Sequence, residues 1–367
     1  MGEAIRIEPR ILRAGSYSFT CFANMGLGGG EKMAKSLCCL PVIFVGTIRA
    51  GISICIMVWL SAAQCYAADV RMAISSTPLS APFIIAIENG YFTQQGVKPI
   101  PTLYQGGHRT ISAVFAGDAD IGTSSEAVVM FNAFRRNDFR VLATFVSTDN
   151  DDKILAPIDR NIKSIGDLRG RKIGTIRNAA AHFFLSQTLQ LAGIPYSAVT
   201  IIGIDPEKAD TALESHEVDA VAVWEPYGYF LSTKYGAKIL TLPHGRAYME
   251  TFNALATADY ISQNTDSTDA VLRGLIQAVN FINTHPERAQ FIVASFLKQD
   301  LPSVKAVWQG LRFKVGLDQW LITTLETEAT WAKQEKLVDP GKNLNFLDFL
   351  ALRPLDRVNS AAITIYR

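Results

Sequence analysis

The chain has 367 residues, of which 49% are hydrophobic and 19% are charged, and its formal net charge is +1. This length is sufficient for two lobes with a sizeable core. The nearly neutral balance argues against an electrostatic nucleic-acid binder, because such proteins usually carry a basic excess.

The N-terminal segment has the pattern of an export signal. The basic region is supplied either by Lys32 and Lys35 or by Arg49. Residues 52–60 then form an apolar region, and residues 61–67 form a region of small residues. This order predicts a signal peptide that is cleaved after Ala67. A retained membrane anchor is the alternative. A lipoprotein site at Cys65 is disfavoured, because Gln64 stands where such sites normally have a small residue.

Residues 1–32 lack the character of a signal peptide. We predict either that they are a gene-model artefact, with translation starting at Met33, or that they form a leader.

Cysteine and histidine usage limits the chemistry. All five cysteines precede residue 68, so the remaining chain has no disulfide, thiol nucleophile or cysteine metal site. The five histidines lack metal-type spacing, and we therefore predict no metal and no cofactor; they are His108, His182, His216, His244 and His285.

Strands alternate with helices from residue 70 onwards. The apolar patterns predict strands over 70–75, 97–104, 140–146, 153–158, 172–176, 199–204 and 218–224. They predict helices between them over 82–92, 109–116, 126–135, 182–192 and 207–215, and Ser164 and Asp167 have capping-box spacing. Such alternation predicts an α/β protein with parallel strands. A return strand is expected over 252–258, and everything beyond it reads as helix.

Two segments share one pattern of helix, polar stop, aspartate and strand. The aspartates are Asp120 and Asp219, and we interpret the segments as equivalent edges of two similar lobes. His216 stands where the first segment has Gly117, a residue suited to ending a helix.

Six segments resemble, in order, one family of proteins. They read APFIIAIENGYFTQQGV, ADIGTSSEAV, DLRGRKIGTI, HFFLSQTLQLAGI, VDAVAVWEPY and NFLDFLALRPLDRV. The chain from about residue 70 to 366 is similar to the periplasmic solute-binding proteins of ABC importers for nitrate, sulfonates and taurine. That broad family also includes pyrimidine-precursor binders.

The resemblance implies a fold and a division into lobes. The implied fold is the two-lobed periplasmic-binding-protein fold of type II, with a mostly parallel sheet flanked by helices in each lobe. Lobe I is expected to comprise residues 68–155 and 246–367, and lobe II residues 156–245.

The resemblance also implies a function. The protein is expected to be a non-enzymatic, monomeric periplasmic component that closes on a small anion such as a sulfonate, taurine or nitrate. It would then dock on an ABC permease in the inner membrane, with no nucleic-acid partner. The alternative is a binder or synthase of a thiamine pyrimidine precursor. The resemblance implies that such a synthase carries a cysteine-rich motif. The chain after residue 67 has no cysteine, so the synthase is the less favoured alternative.

The candidate ligand contacts follow the predicted strands, because α/β sheets bind ligands at the carboxyl ends of their strands. They are Ser75, Ser76, Thr77, Gly106, Gly107, Ser124, Ser125, Arg177, Asn178, His182, Trp224 and Glu225.

Three of these pairs precede a predicted helix, whose free N–H groups favour an anion. They are Gly106–Gly107, Ser124–Ser125 and Arg177–Asn178. Arg177 would also provide a two-pronged contact to a sulfonate, nitrate or carboxylate. The alternatives are a plain turn for the glycines, helix capping for Ser125 and a surface position for Arg177.

The remaining candidates fall into three further groups. Ser75, Ser76 and Thr77 either contact the ligand, as the resemblance implies, or form a simple polar turn. His182 either donates to the ligand or faces solvent. Trp224 and Glu225 either line the cleft, with Glu225 accepting from an amine, or belong to the core.

Overall fold

The computed structural model describes residues 5–6, 68–245 and 248–366. The predicted signal peptide, its cleavage site and all five cysteines lie outside the described residues. Within the described ranges, no helix combines the length and the hydropathy that a membrane crossing requires.

The larger of two sheets has eight strands in the order β1-β3-β2-β4-β11-β5-β12-β13. Strands β2, β3 and β4 run parallel, whereas β11 lies between β4 and β5 and runs antiparallel to both. The strands are β1 (Ile5–Arg6), β2 (Ala68–Ser75), β3 (Val97–Tyr104), β4 (Ile121–Ser125), β5 (Phe139–Thr148), β11 (Glu250–Thr257), β12 (Leu311–Asp318) and β13 (Ile363–Thr364).

The smaller sheet has five strands in the order β10-β6-β9-β7-β8, of which β9, β7 and β8 are parallel neighbours. Its strands are β6 (Lys153–Pro157), β7 (Lys172–Thr175), β8 (Thr200–Gly203), β9 (Ala220–Val223) and β10 (Ile239–Thr241). The predicted α/β class with two sheets is confirmed, although the strand directions in the larger sheet are mixed.

Helices pack on both sheets and fill the C-terminal part of the chain. They are α1 (Ala81–Glu88), α2 (Tyr91–Gln94), α3 (Gly107–Ala116), α4 (Glu126–Ala133), α5 (Ala180–Leu191), α6 (Ala209–Glu214), α7 (Tyr227–Tyr235), α8 (Ala258–Gln263), α9 (Thr265–Thr284), α10 (Pro286–Leu297), α11 (Leu301–Trp308), α12 (Gln319–Gln334) and α13 (Leu352–Asn359).

The two predicted equivalent segments make the same contacts in the two sheets. Asp120 exchanges backbone and side-chain hydrogen bonds with the backbone of Arg71, in the middle of β2. Asp219 does the same with Lys172, at the start of β7. His216 has a φ of 61° and Gly117 a φ of 78°, so the histidine adopts the left-handed conformation that glycine adopts in the first segment.

The expectation that the chain beyond residue 258 is entirely helical is wrong. Strand β12 pairs antiparallel with β5. Its side chains alternate, with Phe313, Val315 and Leu317 buried and Arg312 and Lys314 exposed. This period of two is the signature of a strand with one buried face.

The chain crosses between the two sheets in two connections, 149–152 after β5 and 242–249 before β11. Because the carboxyl ends of the parallel strands face these connections, the crossing region is where a ligand site is expected.

Candidate functional site

A cavity lies between the two sheets, where helices α3, α4 and α5 begin. Its lining comes from the larger-sheet side, from the smaller-sheet side and from the connection 149–152. The lining residues are Ser75, Thr77, Leu79, Gly106, Gly107, His108, Ser125, Val128, Asp151, Ala179, Ala180, Trp224, Glu250 and Phe252.

The three helix starts lack side-chain caps. The residues preceding α3, α4 and α5 are Gly106, Ser125 and Ala179, and none makes a capping hydrogen bond from its side chain. Ser125 therefore occupies the predicted capping position without its hydroxyl performing that role. Uncapped first-turn N–H groups and the positive ends of three helix dipoles thus face one cavity, which favours an anionic group there.

Close contact between α3 and β4 fixes the position of the first helix start. A Cβ atom on Gly107 would lie 2.6 Å from Ser124 Oγ and 2.8 Å from Ser124 Cα. Thr110 Oγ1 donates to the carbonyl oxygen of Thr123, which joins the first turn of α3 to β4. Gly106 has a φ of 91°, a conformation that suits glycine.

Two rings form one side of the cavity. The rings of His108 and Trp224 have centroids 6.1 Å apart and bring together the larger and smaller sheets. Burial lowers the pKa of His108 to about 4, and the charge of Arg109 acts in the same direction. His108 is therefore neutral at physiological pH and offers a polar edge without a charge.

Three buried carboxyl groups gather where the first connection meets the start of β11. Asp151, Asp152 and Glu250 each have an oxygen within 4.8 Å of the others, and each side chain is about 4% exposed. Four of their oxygens have no hydrogen-bond partner among the described residues: Asp151 Oδ1, both Asp152 oxygens and Glu250 Oε2. Such oxygens are costly to bury unless a cation or a donor approaches them.

Burial and mutual repulsion keep these carboxyl groups from ionising. Burial raises the pKa of Asp152 to about 8. The pKa of Asp151 and that of Glu250 are also raised, first by burial and then by neighbouring carboxylates. At neutral pH the cluster therefore holds protons that an approaching cation would displace.

A second buried carboxyl group connects α4 to β11. Glu126 accepts hydrogen bonds from the Tyr248 hydroxyl and from both the backbone N–H and the hydroxyl of Thr251. Burial raises its pKa to about 7, although these hydrogen bonds act in the opposite direction. This contact holds α4 beside the connection that carries Glu250.

The structure places half of the predicted ligand contacts in the lining of the cavity: Ser75, Thr77, Gly106, Gly107, Ser125 and Trp224. Ser124 lies directly behind Gly107, with its buried Oγ unpartnered among the described residues. Ser76 and Glu225 are outside the lining. Ser76 donates its backbone N–H to Tyr104, and Glu225 accepts from the backbone N–H of Tyr229.

The predicted group at the start of α5 does not line the cavity. Arg177 turns along β8, where its Nη2 donates to the carbonyl oxygen of Ile201 at 2.5 Å and its stem packs on Gly203. Asn178 has a φ of 60° and donates its backbone N–H to Nδ1 of His182. The anion contact expected of Arg177 therefore has no support in this geometry.

His182 neither faces solvent nor meets the cavity. It is fully buried, its Nε2 lies 2.6 Å from the Tyr196 hydroxyl, and its ring packs on Trp331. Burial, assisted by the charge of Arg177, lowers the pKa of His182 to about 4. Since Nδ1 accepts from Asn178, the proton resides on Nε2, and the side chain has a structural role.

We expect Arg177→Ala to change solute affinity by no more than about twofold, as is usual for a surface substitution. Isothermal titration of a bound solute would measure this. Trp224→Ala is the matched comparison, because Trp224 lines the cavity and its removal should weaken binding. A loss of affinity in Arg177→Ala as large as that in Trp224→Ala would contradict the placement of Arg177.

Sequence reasoning missed His108, Asp151 and Glu250 as cavity residues. Asp151 lies in the polar run 148–152, and Glu250 precedes a run of buried residues in β11. A carboxyl group at the boundary of an apolar strand is a detectable signal. Its neighbours, however, come from a connection about a hundred residues away in the sequence.

Comparison with known proteins agrees with the fold. Residues 77–289 match the family described as NMT1/THI5 like. The "Putative aliphatic sulfonates-binding protein" of Bacillus subtilis (strain 168) is 24% identical over 243 residues, which is 65% of this chain and 73% of the relative.

Solved structures of both binding proteins and enzymes share the fold. The periplasmic aliphatic sulphonate binding protein SsuA from Escherichia coli aligns with a TM-score of 0.65 and 18% identity, covering 77% of this chain and 97% of SsuA. The desulfurization enzyme DSZB aligns with a TM-score of 0.60 and 14% identity, covering 80% of this chain and 99% of DSZB. At these identities the likeness extends to the fold.

Proposed function

The chain belongs to the NMT1/THI5-like family, and we propose on this basis that it is the substrate-binding component of an ABC importer. The observation that carries the proposal is the cavity between the two sheets, lined from both sheet sides and from the connection 149–152. A solute bound there would contact both lobes, which approach each other when the protein closes.

Each sheet forms the centre of one proposed lobe. Lobe I contains residues 68 to about 152 and about 246 to 367, since β6 begins at Lys153 and belongs to the smaller sheet. Lobe II contains the residues between. Contacts between the larger-sheet and smaller-sheet sides accompany the closed arrangement: Arg109 pairs with Asp205 and Glu207, and Tyr227 donates to Gln105.

The solute proposed here carries an anionic head group, as sulfonates, taurine and nitrate do. Support comes from the three uncapped helix starts, each of which stabilises an anion by roughly 0.3–1 kcal/mol when exposed and by more when enclosed. The named sulfonate-binding relative is in accord with this. A pyrimidine precursor is the second candidate, favoured by the carboxyl groups of Asp151 and Glu250, which accept from ring amines.

The proposal places the protein in the periplasm as a monomer that delivers its solute to a permease in the inner membrane. In this role it binds its ligand and releases it chemically unchanged.

Titration of the purified chain with ethanesulfonate, taurine and nitrate tests the proposed function. We expect at least one of them to bind and to raise the melting temperature in a concentration-dependent way. Mass spectrometry should recover the ligand intact. Recovery of a converted product, or binding confined to solutes that have no anionic group, would contradict the proposal.

A further inference from the structure

The cavity offers a second, oppositely charged subsite beside the three helix starts. We propose that Asp151 and Glu250, with Asp152 behind them, bind a cationic nitrogen group of the solute, so that the preferred ligand is a small zwitterion. This inference rests on the proposed function, because it assigns the second half of the same site.

The carboxyl oxygens are arranged to meet one positively charged group. Asp151 and Glu250 both line the cavity, and their oxygens and those of Asp152 come within 4.8 Å of one another. Asp151 Oδ1 and Glu250 Oε2 are buried and lack a hydrogen-bond partner among the described residues. An ammonium group has three donors and would satisfy several of these oxygens at once.

Lys153, which follows Asp152 in the sequence, already has other hydrogen-bond partners. Lys153 donates through Nζ to the carbonyl and side-chain oxygens of Asn150, and its Nζ lies 4.0 Å from Glu225. It makes no hydrogen bond to Asp151 or Asp152 in the part of the chain that the structure describes. The positive charge that the cluster needs is therefore expected to arrive with the ligand.

The other walls of the cavity favour an organic cation over a metal ion. Each of the three residues offers one carboxyl oxygen to the shared position, and three oxygens are fewer than the six to eight that Ca²⁺ usually takes. Leu79, Val128 and Phe252 add apolar surface, and Trp224 offers the face of an indole ring. An alkylammonium group uses both kinds of surface, through its carbon chain and through cation–π attraction.

The charges around the subsite predict opposite pH responses for two kinds of ligand. The groups that face it are mostly acidic: Glu126, Glu225, Glu328, Lys153 and Tyr248. A rise in pH ionises the cluster, which should strengthen binding of an ammonium-bearing solute and weaken binding of a plain anion. The ammonium group itself must remain protonated over the pH range used.

Matched ligands test the proposal directly. Taurine and ethanesulfonate share a sulfonate head, but only taurine carries an ammonium group. By isothermal titration at pH 7 we expect the wild-type chain to bind taurine roughly 10- to 150-fold more tightly than ethanesulfonate. The preference for taurine should increase between pH 6 and pH 8.

Matched variants assign the effect to the subsite. Asp151→Asn and Glu250→Gln keep the shape of the side chains, and each should remove most of the preference while leaving or improving ethanesulfonate affinity. Glu287→Gln is the control, because Glu287 is an acid on the exposed surface of α10, away from the cavity lining. Its preference for taurine should match that of the wild-type chain.

Further probes separate failure of the subsite from failure of the proposed function. If the sulfonates do not bind, but ethylammonium or an aminopyrimidine gives a thermal shift that disappears in Asp151→Asn, the anionic head group is wrong and the subsite stands. Equal binding of taurine and ethanesulfonate would overturn the subsite while leaving the anion site in place. The subsite is also overturned if the thermal shift that depends on Asp151 appears with Ca²⁺ or Zn²⁺ but with no ammonium-bearing probe. The same conclusion follows if no probe gives such a shift.

Discussion

Gly107→Ala is expected to lose more than tenfold in solute affinity and to unfold more readily than the wild-type chain. The new methyl group would meet Ser124 Cα at 2.8 Å, and that atom belongs to the backbone of β4. Because β4 is paired on both sides, with β2 and β11, the start of α3 must shift instead. Overpacking of this kind typically costs about 1–3 kcal/mol.

The loss of affinity should exceed what the loss of stability explains. Displacement of α3 moves the first-turn N–H groups away from the solute, and binding contacts of this kind tolerate little misplacement. Thermal unfolding and isothermal titration of the same samples would separate the two effects.

Gly166→Ala is the matched control for this variant. A Cβ atom on Gly166 would meet Ser164 Oγ at 3.5 Å, which is an ordinary contact. We therefore expect wild-type affinity and stability. Wild-type affinity in Gly107→Ala would instead show that the start of α3 plays no part in binding.

The ligand-free chain is expected to become less stable as the pH rises from about 5 to about 9. Burial raises the pKa of Glu126 to about 7 and that of Asp152 to about 8. A carboxyl group whose pKa is raised by folding stabilises the folded state fully below its ordinary range, near pH 4, and this contribution is lost as the pH rises through the folded value.

The size of this effect follows from the number of protons retained on folding. Between pH 5 and pH 7 each carboxyl group that stays protonated only in the folded chain lowers the unfolding free energy by roughly 1.4 kcal/mol per pH unit. Several acids take part, so the slope should be steepest above about pH 6.5, where His108 and His182, whose pKa is lowered to about 4, no longer act in the opposite direction. Denaturant unfolding at a series of pH values, in the absence of solute, would measure it.

Glu328→Gln should flatten the slope, because burial raises the pKa of Glu328 well above its usual range. This variant is expected to exceed the wild-type chain in stability at pH 9. Glu287→Gln, on the exposed surface of α10, should leave the slope unchanged. A stability that rises between pH 5 and pH 9 would show that the cluster is ionised and compensated in the folded protein.

Local sequence patterns determined most of the elements and their order. The alternation of apolar residues identified β2 to β9, and glycine and proline marked their ends, because these signals depend on neighbours within one turn or strand. Ser164 and Asp167 form the predicted capping box. The pattern shared by the segments of Asp120 and Asp219 was also visible, and each aspartate hydrogen-bonds to the backbone of a strand of its own sheet. The side chains of β12 also alternate with a period of two, although the prediction for this part of the chain was helix.

Only the tertiary structure decided which polar residues face one another. Arg177 and Trp224 both follow strands of the smaller sheet, yet Arg177 turns along β8 while Trp224 lines the cavity. Likewise, Asp151 and Glu250 are about a hundred residues apart and meet because the two connections run side by side. The charged groups that line the cavity therefore depend on where the chain crosses from one sheet to the other. A local pattern does not encode that crossing, since it arises from pairing between distant segments.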